Sequence, residues 1–234
     1  YGKGWDSPAA FHRLLMKVTE IRGIDIVRFM TSHPKDVSQD LFRVMAENPK
    51  IEKHIHLPLQ SGSDRMLRAM NRNYTLEKYQ KDIDALRKLI PHVSITTDII
   101  VGFCGETEED YSQTKQAVKD VRFNGAFIFK YSPRQGTHAY AMHDSVPLHI
   151  KKERNNELLN MQRQIAHEVN TALTGRREKA LVYALSKKDQ DELKARTLFD
   201  REVVFPGGKK LMGTTVDVEF TDVVNETFLG RLCD

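Results

Sequence analysis

Apolar residues return at three- and four-residue steps through Phe11, Leu14, Leu15, Val18 and Ile21, behind Ser7 and Pro8, a serine N-cap with proline at the first helical position. The spacing predicts an amphipathic helix. Ile26 to Thr31 is short, apolar and β-branched, so a strand is expected there, and Leu41, Val44 and Met45 mark the next helix. A strand at about 53–59 follows. From Leu76 through Tyr79, Ile83, Leu86 and Ile90 the helical period is cleanest, opened by Thr75 and stopped by Pro91, and 93–101 reads as a buried strand. Thr107 with Asp110 three residues on is a capping-box pair, with Tyr111, Val118 and Val121 forming the stripe of the helix behind it. A further strand is expected over 126–131. A long helix is expected over 150–173, carrying Leu158, Ile165, Val169 and Leu173, with Gly175 as its stop signal. Strands beginning near 26, 53, 94 and 126 with helices between them need crossover connections, and therefore a parallel sheet.

After Gly175 the period changes to two. Val216, Val218 and Phe220 alternate with Asp217, Glu219 and Thr221, while Pro206-Gly207-Gly208 and Asn225-Glu226 supply turns. These roughly 60 residues predict a small antiparallel barrel. The expected division is an α/β domain over 1–172 and a barrel over 173–234.

Composition narrows the function classes. With 40% hydrophobic and 29% charged residues and a mean hydropathy of −0.51, the chain reads as a folded, soluble one. No apolar run approaches the roughly 18 residues of a spanning helix and no basic-then-apolar leader opens the sequence, so no membrane partner and a cytoplasmic setting are expected. The net charge of +4 is too slight to demand a polyanionic partner. The two cysteines, Cys104 and Cys233, lie far apart, so neither a disulfide framework nor a four-thiolate metal site can be built from them. The chain opens on Tyr1-Gly2-Lys3-Gly4 without a methionine, which suggests a truncated or processed chain.

In parallel α/β folds the ligand site lies beyond the carboxyl ends of the strands. The four expected strands exit into Ser32-His33, Gln60-Ser61-Gly62-Ser63, Gly102-Phe103-Cys104-Gly105-Glu106 and Ser132-Pro133-Arg134-Gln135-Gly136-Thr137. Four polar or glycine-rich exits on one rim describe a binding site for a polar ligand. Ser61-Gly62-Ser63-Asp64 either presents amides and hydroxyls to a ligand or simply caps the helix holding Met66 and Leu67. Gly102 and Gly105 allow close backbone approach to a flat ligand, or only a turn. His54 and His56 share a strand face, which admits a metal reading or an ordinary pair of satisfied histidines. Cys104 reads as a buried thiol. Asp98 interrupts an apolar strand and should have a partner or a ligand. Arg134 can contact a carboxylate or phosphate bidentately, or form a surface ion pair. In the last domain Lys194, Arg196, Arg201, Lys209 and Lys210 surround a hairpin and offer an edge to RNA phosphates, although residues 173–234 hold 11 basic and 11 acidic side chains and a solvated charged face is the alternative.

His56-Leu57-Pro58-Leu59-Gln60-Ser61-Gly62-Ser63-Asp64, Met70-Asn71-Arg72-Asn73-Tyr74-Thr75, Thr97-Asp98-Ile99-Ile100-Val101-Gly102-Phe103, Gly105-Glu106-Thr107 and Tyr131-Ser132-Pro133-Arg134 stand in an order that strongly resembles the radical S-adenosylmethionine methylthiotransferases. Val203-Val204-Phe205-Pro206-Gly207 resembles their C-terminal TRAM domain, an OB-like RNA-binding barrel. The resemblance is nearest to the branch that acts on isopentenylated adenosine beside the tRNA anticodon. Branches acting on threonylcarbamoyl-adenosine or a ribosomal protein, and an RNA-binding protein without chemistry, are the alternatives. Cys104 and Gln135 stand where the family usually has proline.

The resemblance implies a partial (β/α) barrel of the radical S-adenosylmethionine, TIM-like type followed by the TRAM barrel. It implies S-adenosylmethionine and two 4Fe-4S clusters, each on three cysteines; none of those six is present, so the chain resembles the C-terminal part of such an enzyme and should be inactive alone, with neither catalytic nor cluster-binding residues of its own. A reductant for the cluster, a tRNA anticodon stem-loop and a monomeric state complete the implied picture. An adenine C–H bond yields no proton at ordinary pKa, so the step needs a cofactor-derived radical and the protein's part is positioning. By family logic Gln60 and Ser61 address the ribose, the Ile100–Glu106 segment with Gly102, Gly105 and Glu106 the adenine, and Arg134 the ligand or substrate, with Ser63 and Asp98 also among the cofactor-binding residues; Lys194, Arg196, Arg201, Lys209 and Lys210 address the RNA.

Overall fold

The structure, a computed structural model, describes residues 11–30, 33–186, 189 and 191–233. The expected N-cap at Ser7-Pro8 and the strand exit at Thr31-Ser32 lie outside them. Helix α1 (Phe11–Thr19) and α2 (Gln39–Glu47, capped by Ser38) are followed by β1 (His54–His56), α3 (Asp64–Ala69) and α4 (Leu76–Leu89). Strand β2 (Ser94–Val101), α5 (Glu108–Val121), β3 (Gly125–Lys130) and α6 (Leu148–Thr171) complete the α/β part. The caps act as their chemistry requires: the Thr75 hydroxyl accepts from the Lys78 amide, and Thr107 and Asp110 cap each other reciprocally.

The three strands pair in the order β1-β2-β3, all parallel, with His56 opposite Thr96 and Val101 opposite Lys130. The strand expected at 26–31 is reduced to a single parallel bridge between Val27 and Ile51. On the other side of the same segment the Lys53 carbonyl accepts from Ser94 of β2, while the Lys53 amide donates to Leu198 of the barrel. Within β2 burial alternates, so the stretch is not buried on both faces as expected. Ile95, Thr97, Ile99 and Val101 face the helices, while Thr96, Asp98 and Ile100 face the open side. Phe127 and Phe129 on β3 are 61% and 53% exposed.

Strands β4 (Arg177–Leu185), β5 (Glu192–Thr197), β6 (Glu202–Pro206), β7 (Thr215–Val224) and β8 (Thr227–Leu232) close into a barrel in the order β4-β5-β6-β8-β7. The small antiparallel barrel expected after Gly175 is present, with one seam that differs: β6 and β8 run parallel, Val203 beside Phe228. Closing an odd number of strands leaves at least one parallel seam, since directions cannot alternate around the ring. Its core, with Val182, Leu193, Phe205, Phe220 and Phe228, is separate from the core beneath the parallel sheet. The long helix α6 serves the first core through Leu158 and Ile165, and the turn after it brings Leu173 into the second.

The two parts meet at the amino-terminal ends of the sheet strands. Besides the Lys53–Leu198 bond, Arg201 donates to the His92 carbonyl and Arg28 to that of Thr197.

Candidate functional site

At the opposite, carboxyl-terminal end the strands open onto a cleft of about 600 Å³. That size suits a small-molecule ligand. Gln60, Asp98 and Arg134 line it together with Ile100, Phe129 and Tyr131. Two strand-exit residues, Gln60 and Arg134, and Asp98 on the open face of β2 therefore share one cavity.

Gln60 is held in an unusual way. Its φ is +66°, a left-handed conformation that costs a non-glycine residue free energy. Two sheet bonds enforce it, from the Gln60 amide to the Asp98 carbonyl (2.8 Å) and from the Ile100 amide to the Gln60 carbonyl (2.9 Å). Its side-chain amide has no hydrogen bond to another described residue. Asp98 lies on the open face with its Oδ2 3.4 Å from His56 Nε2, so its expected partner is a histidine across the strands. The Arg134 guanidinium, exposed on the loop after β3, forms no ion pair with a described residue.

The remaining expected contacts serve the walls. Ser61 is fully buried, sharing its hydroxyl with Thr114 (3.2 Å) and accepting from the Ser63 amide. Ser63 caps α3 and donates to Asp110 Oδ1 at 2.6 Å. Gly62 between them is required by contact, since a Cβ there would lie 2.6 Å from the Gln113 carbonyl oxygen. Neither serine lines the cleft, so the structure gives both a packing role where a ribose contact was expected. Burial would raise the Asp110 carboxyl, but hydrogen bonds from Arg65, Ser63 and Thr107 outweigh it and hold it far below the usual carboxylate range.

Gly102 (φ +70°) presses against Lys151, whose Cγ would be 2.4 Å from an added Cβ. Glu106 turns inward, its Oε2 accepting from the Gly102 amide (2.7 Å) and from Arg154 (2.7 Å). Burial pushes its carboxyl up against the pull of those bonds. Gly102, Gly105 and Glu106 thus shape the loop behind the cleft, while Phe103 between them supplies lining and meets Tyr131 edge-on at 4.9 Å. Sequence reasoning assigned no role to the lining residues Asn71, Arg72 and Phe129; β3 is apolar from Ala126 to Phe129, so no alternation marked Phe129 as facing the cleft.

Residues 5–118 match the sequence family described as the radical SAM superfamily. The tRNA-2-methylthio-N(6)-dimethylallyladenosine synthase of Syntrophomonas wolfei is 44% identical over 99% of this chain and 52% of its own length. Over nearly its whole length the chain is similar to this synthase. The one from Carboxydothermus hydrogenoformans is 45% identical over 95% of this chain and 50% of its own. The chain thus spans about half the length of the curated relatives it matches. Coproporphyrinogen III oxidase (HemN) from Escherichia coli, described as a radical SAM enzyme, aligns with a TM-score of 0.47 and 14% identity over 72% of this chain and 45% of that one.

The chain has two cysteines. Cys104 is buried in the loop after β2 and Cys233 follows β8 at the far end of the barrel. Two thiols on separate bodies cannot ligate an iron–sulfur cluster, so the residues present do not fit that group. No helix among the described residues is long and apolar enough to cross a membrane.

The basic edge expected on the barrel is mostly paired. Lys194 bridges to Glu202 (2.8 Å) and Arg196 to Asp200 (2.7 Å). Arg201 requires correction: its side chain is 4% exposed and paired with Glu178, because the hairpin folds against the parallel sheet, so it offers nothing to a phosphate. Lys209 and Lys210 are exposed on a short turn of 3₁₀ helix.

Proposed function

We propose that the cleft holds the adenosyl part of S-adenosylmethionine, in a methylthiotransferase that modifies dimethylallyl-adenosine in tRNA, with the barrel holding the RNA. The observation that carries this reading is the convergence of Gln60, Asp98 and Arg134 in one cavity, with the Gln60 amide and the Arg134 guanidinium left open to a ligand. The names of the 43–45% identical relatives supply the reaction.

The residues suit the group. A glutamine side chain offers both a donor and an acceptor to a ribose diol, the arginine offers a fork to a carboxylate, and Ile100 and Phe129 give an apolar wall for a purine. The bound sulfonium supplies the homolytic chemistry and the methyl group that no side chain here can provide. The chain's own task is to fix the ligand's orientation on a rim stiffened by the Asp110 and Glu106 networks. In this reading Lys209 and Lys210, with Lys194 and Arg196 where their acidic partners yield, meet the phosphates of an anticodon stem-loop.

Isothermal titration of the 234-residue chain with S-adenosylmethionine and S-adenosylhomocysteine tests the cleft. Both ligands should bind alike, because the chain holds no cluster to distinguish them. Arg134→Ala and Gln60→Ala should each weaken binding about tenfold, or 1.4 kcal/mol. Absence of binding, or variants as tight as the parent chain, would sink the reading.

A further inference from the structure

Away from the cleft, at the seam between the sheet and the barrel, three side chains converge without meeting. Glu52 precedes β1, His54 lies on β1, and Asp200 sits in the turn between β5 and β6. The His54 Nδ1 atom is 3.9 Å from Glu52 Oε2 and also 3.9 Å from Asp200 Oδ2. One oxygen from each carboxylate and this nitrogen all lie within 4.8 Å of one another. The His54 side chain is 10% exposed and that of Glu52 3%.

The Thr96 hydroxyl oxygen lies 2.9 Å from both His54 Nε2 and His56 Nδ1. The His54 ring is therefore held through Nε2, with Nδ1 on the side of the two carboxylates.

Such an arrangement needs positive charge. A proton on Nδ1 points in one direction and needs an acceptor within about 3.2 Å, whereas both carboxylates stand equally distant and beyond that reach. An ion placed among the three satisfies all of them at once. We propose that Glu52, His54 and Asp200 bind one divalent transition-metal ion, zinc by its nitrogen and oxygen donor set, and that this ion fastens the β5–β6 turn to the parallel sheet.

The surroundings are those of a metal site. Two of the ligands have their other polar atom hydrogen-bonded, Asp200 Oδ1 by Arg196 (2.7 Å) and His54 Nε2 with Thr96, while Glu52 Oε1 stands 2.8 Å from Arg28 Nε as an ion pair without a hydrogen bond. Partners of this kind fix ligand orientation and tautomer around a bound metal. Bonds of about 2.0–2.1 Å in a tetrahedral site put donors about 3.3 Å apart, so the two 3.9 Å gaps close by roughly half an ångström on binding. Three protein ligands leave a fourth position open. The pairing also revises the metal reading of the sequence, because His54 works with Glu52 and Asp200 and not with His56.

The test uses the 234-residue chain dialysed against a chelator, then titrated with zinc against a chromophoric indicator, and separately with cobalt(II). One zinc per chain should bind. The cobalt form should show tetrahedral d–d bands without a thiolate charge-transfer band, which excludes Cys104 and Cys233 as ligands. His54→Ala and Asp200→Asn should each weaken zinc at least tenfold and abolish the zinc-induced rise in melting temperature. Asparagine tolerates the φ of +58° at position 200, so Asp200→Asn decides the matter even if His54→Ala fails to fold. No zinc binding by the parent chain, or equal binding by Asp200→Asn, would overturn the proposal and leave the cluster to a proton on His54.

Discussion

The two ends of the parallel sheet carry similar side chains in opposite states. At the carboxyl end, Gln60 and Arg134 border a cavity and are open to it. At the amino end, Arg28, Arg201, Glu52 and Glu178 are closed into pairs by the barrel packed over them. What distinguishes a binding site from a seam is therefore not residue type but whether the fold has already satisfied the group. A buried charge with an open atom is costly, as at Glu52 and Glu178, whereas an exposed rim leaves donors free for a ligand at little cost.

The largest expected effect lies at the seam. Arg201→Ala leaves Glu178 buried, with Arg176 (Nε 3.1 Å away) as its remaining cation, and removes the bond to the His92 carbonyl. Breaking one partner of a buried pair costs about 3–5 kcal/mol, and the remaining arginine points to the lower figure. Urea denaturation should show that loss. A change below about 1 kcal/mol would mean that the seam is wetter and looser than its packing indicates.

The same contrast explains how far the sequence could be read. Helices α2, α4, α5 and α6 and strands β2 and β3 follow from local signals, because period, cap and stop agree at Thr75, Thr107, Pro91 and Gly175. The strand expected at 26–31 is reduced to the bridge of Val27 with Ile51, made by the Val27 amide to the Lys50 carbonyl and the Glu52 amide to the Val27 carbonyl, a pairing that local apolar character could not specify. The strand-end rule and the family resemblance together brought Gln60, Asp98 and Arg134 forward. They could not tell these from Ser61, Ser63 and Glu106, since Thr114, Asp110 and Arg154 lie on other elements. Arg201 was misread for the same reason, as a charge beside a turn looks solvated until another domain covers it.

A pH experiment sharpens the comparison at the rim. Asp110 is held low in the folded state, so its carboxylate stabilises the fold fully above its ordinary value near 3.9. That contribution fades as pH falls below about 4 towards the lower folded value, the direction linkage requires for a depressed group. Glu106, raised by burial, runs the other way, and its gain on acidification is complete by its ordinary value near 4.3, before the Asp110 loss sets in. Asp110→Asn should lower stability at neutral pH and flatten the acid limb of the curve below pH 4, as read by circular dichroism. An unchanged acid limb would show that other carboxylates govern it.

The smallest effect on stability, and the one that separates binding from architecture most sharply, belongs to Lys209 and Lys210. Both are exposed, on a short 3₁₀ turn, with no ion pair to a described residue. Replacing both by alanine should change stability by less than about 0.5 kcal/mol, as is usual for surface substitutions away from packed features. Their charge nevertheless acts on a polyanion. If each neutralises one phosphate of a stem-loop RNA, the slope of log affinity against log salt should fall by about 1.4–1.8 in the double variant. Lys194→Ala should change that slope less, because Glu202, 2.8 Å from its ammonium, already holds the charge. Equal slopes for the parent and the Lys209/Lys210 variant, measured by fluorescence anisotropy across a salt series, would move the RNA contact off this turn and leave these lysines as a solvated surface.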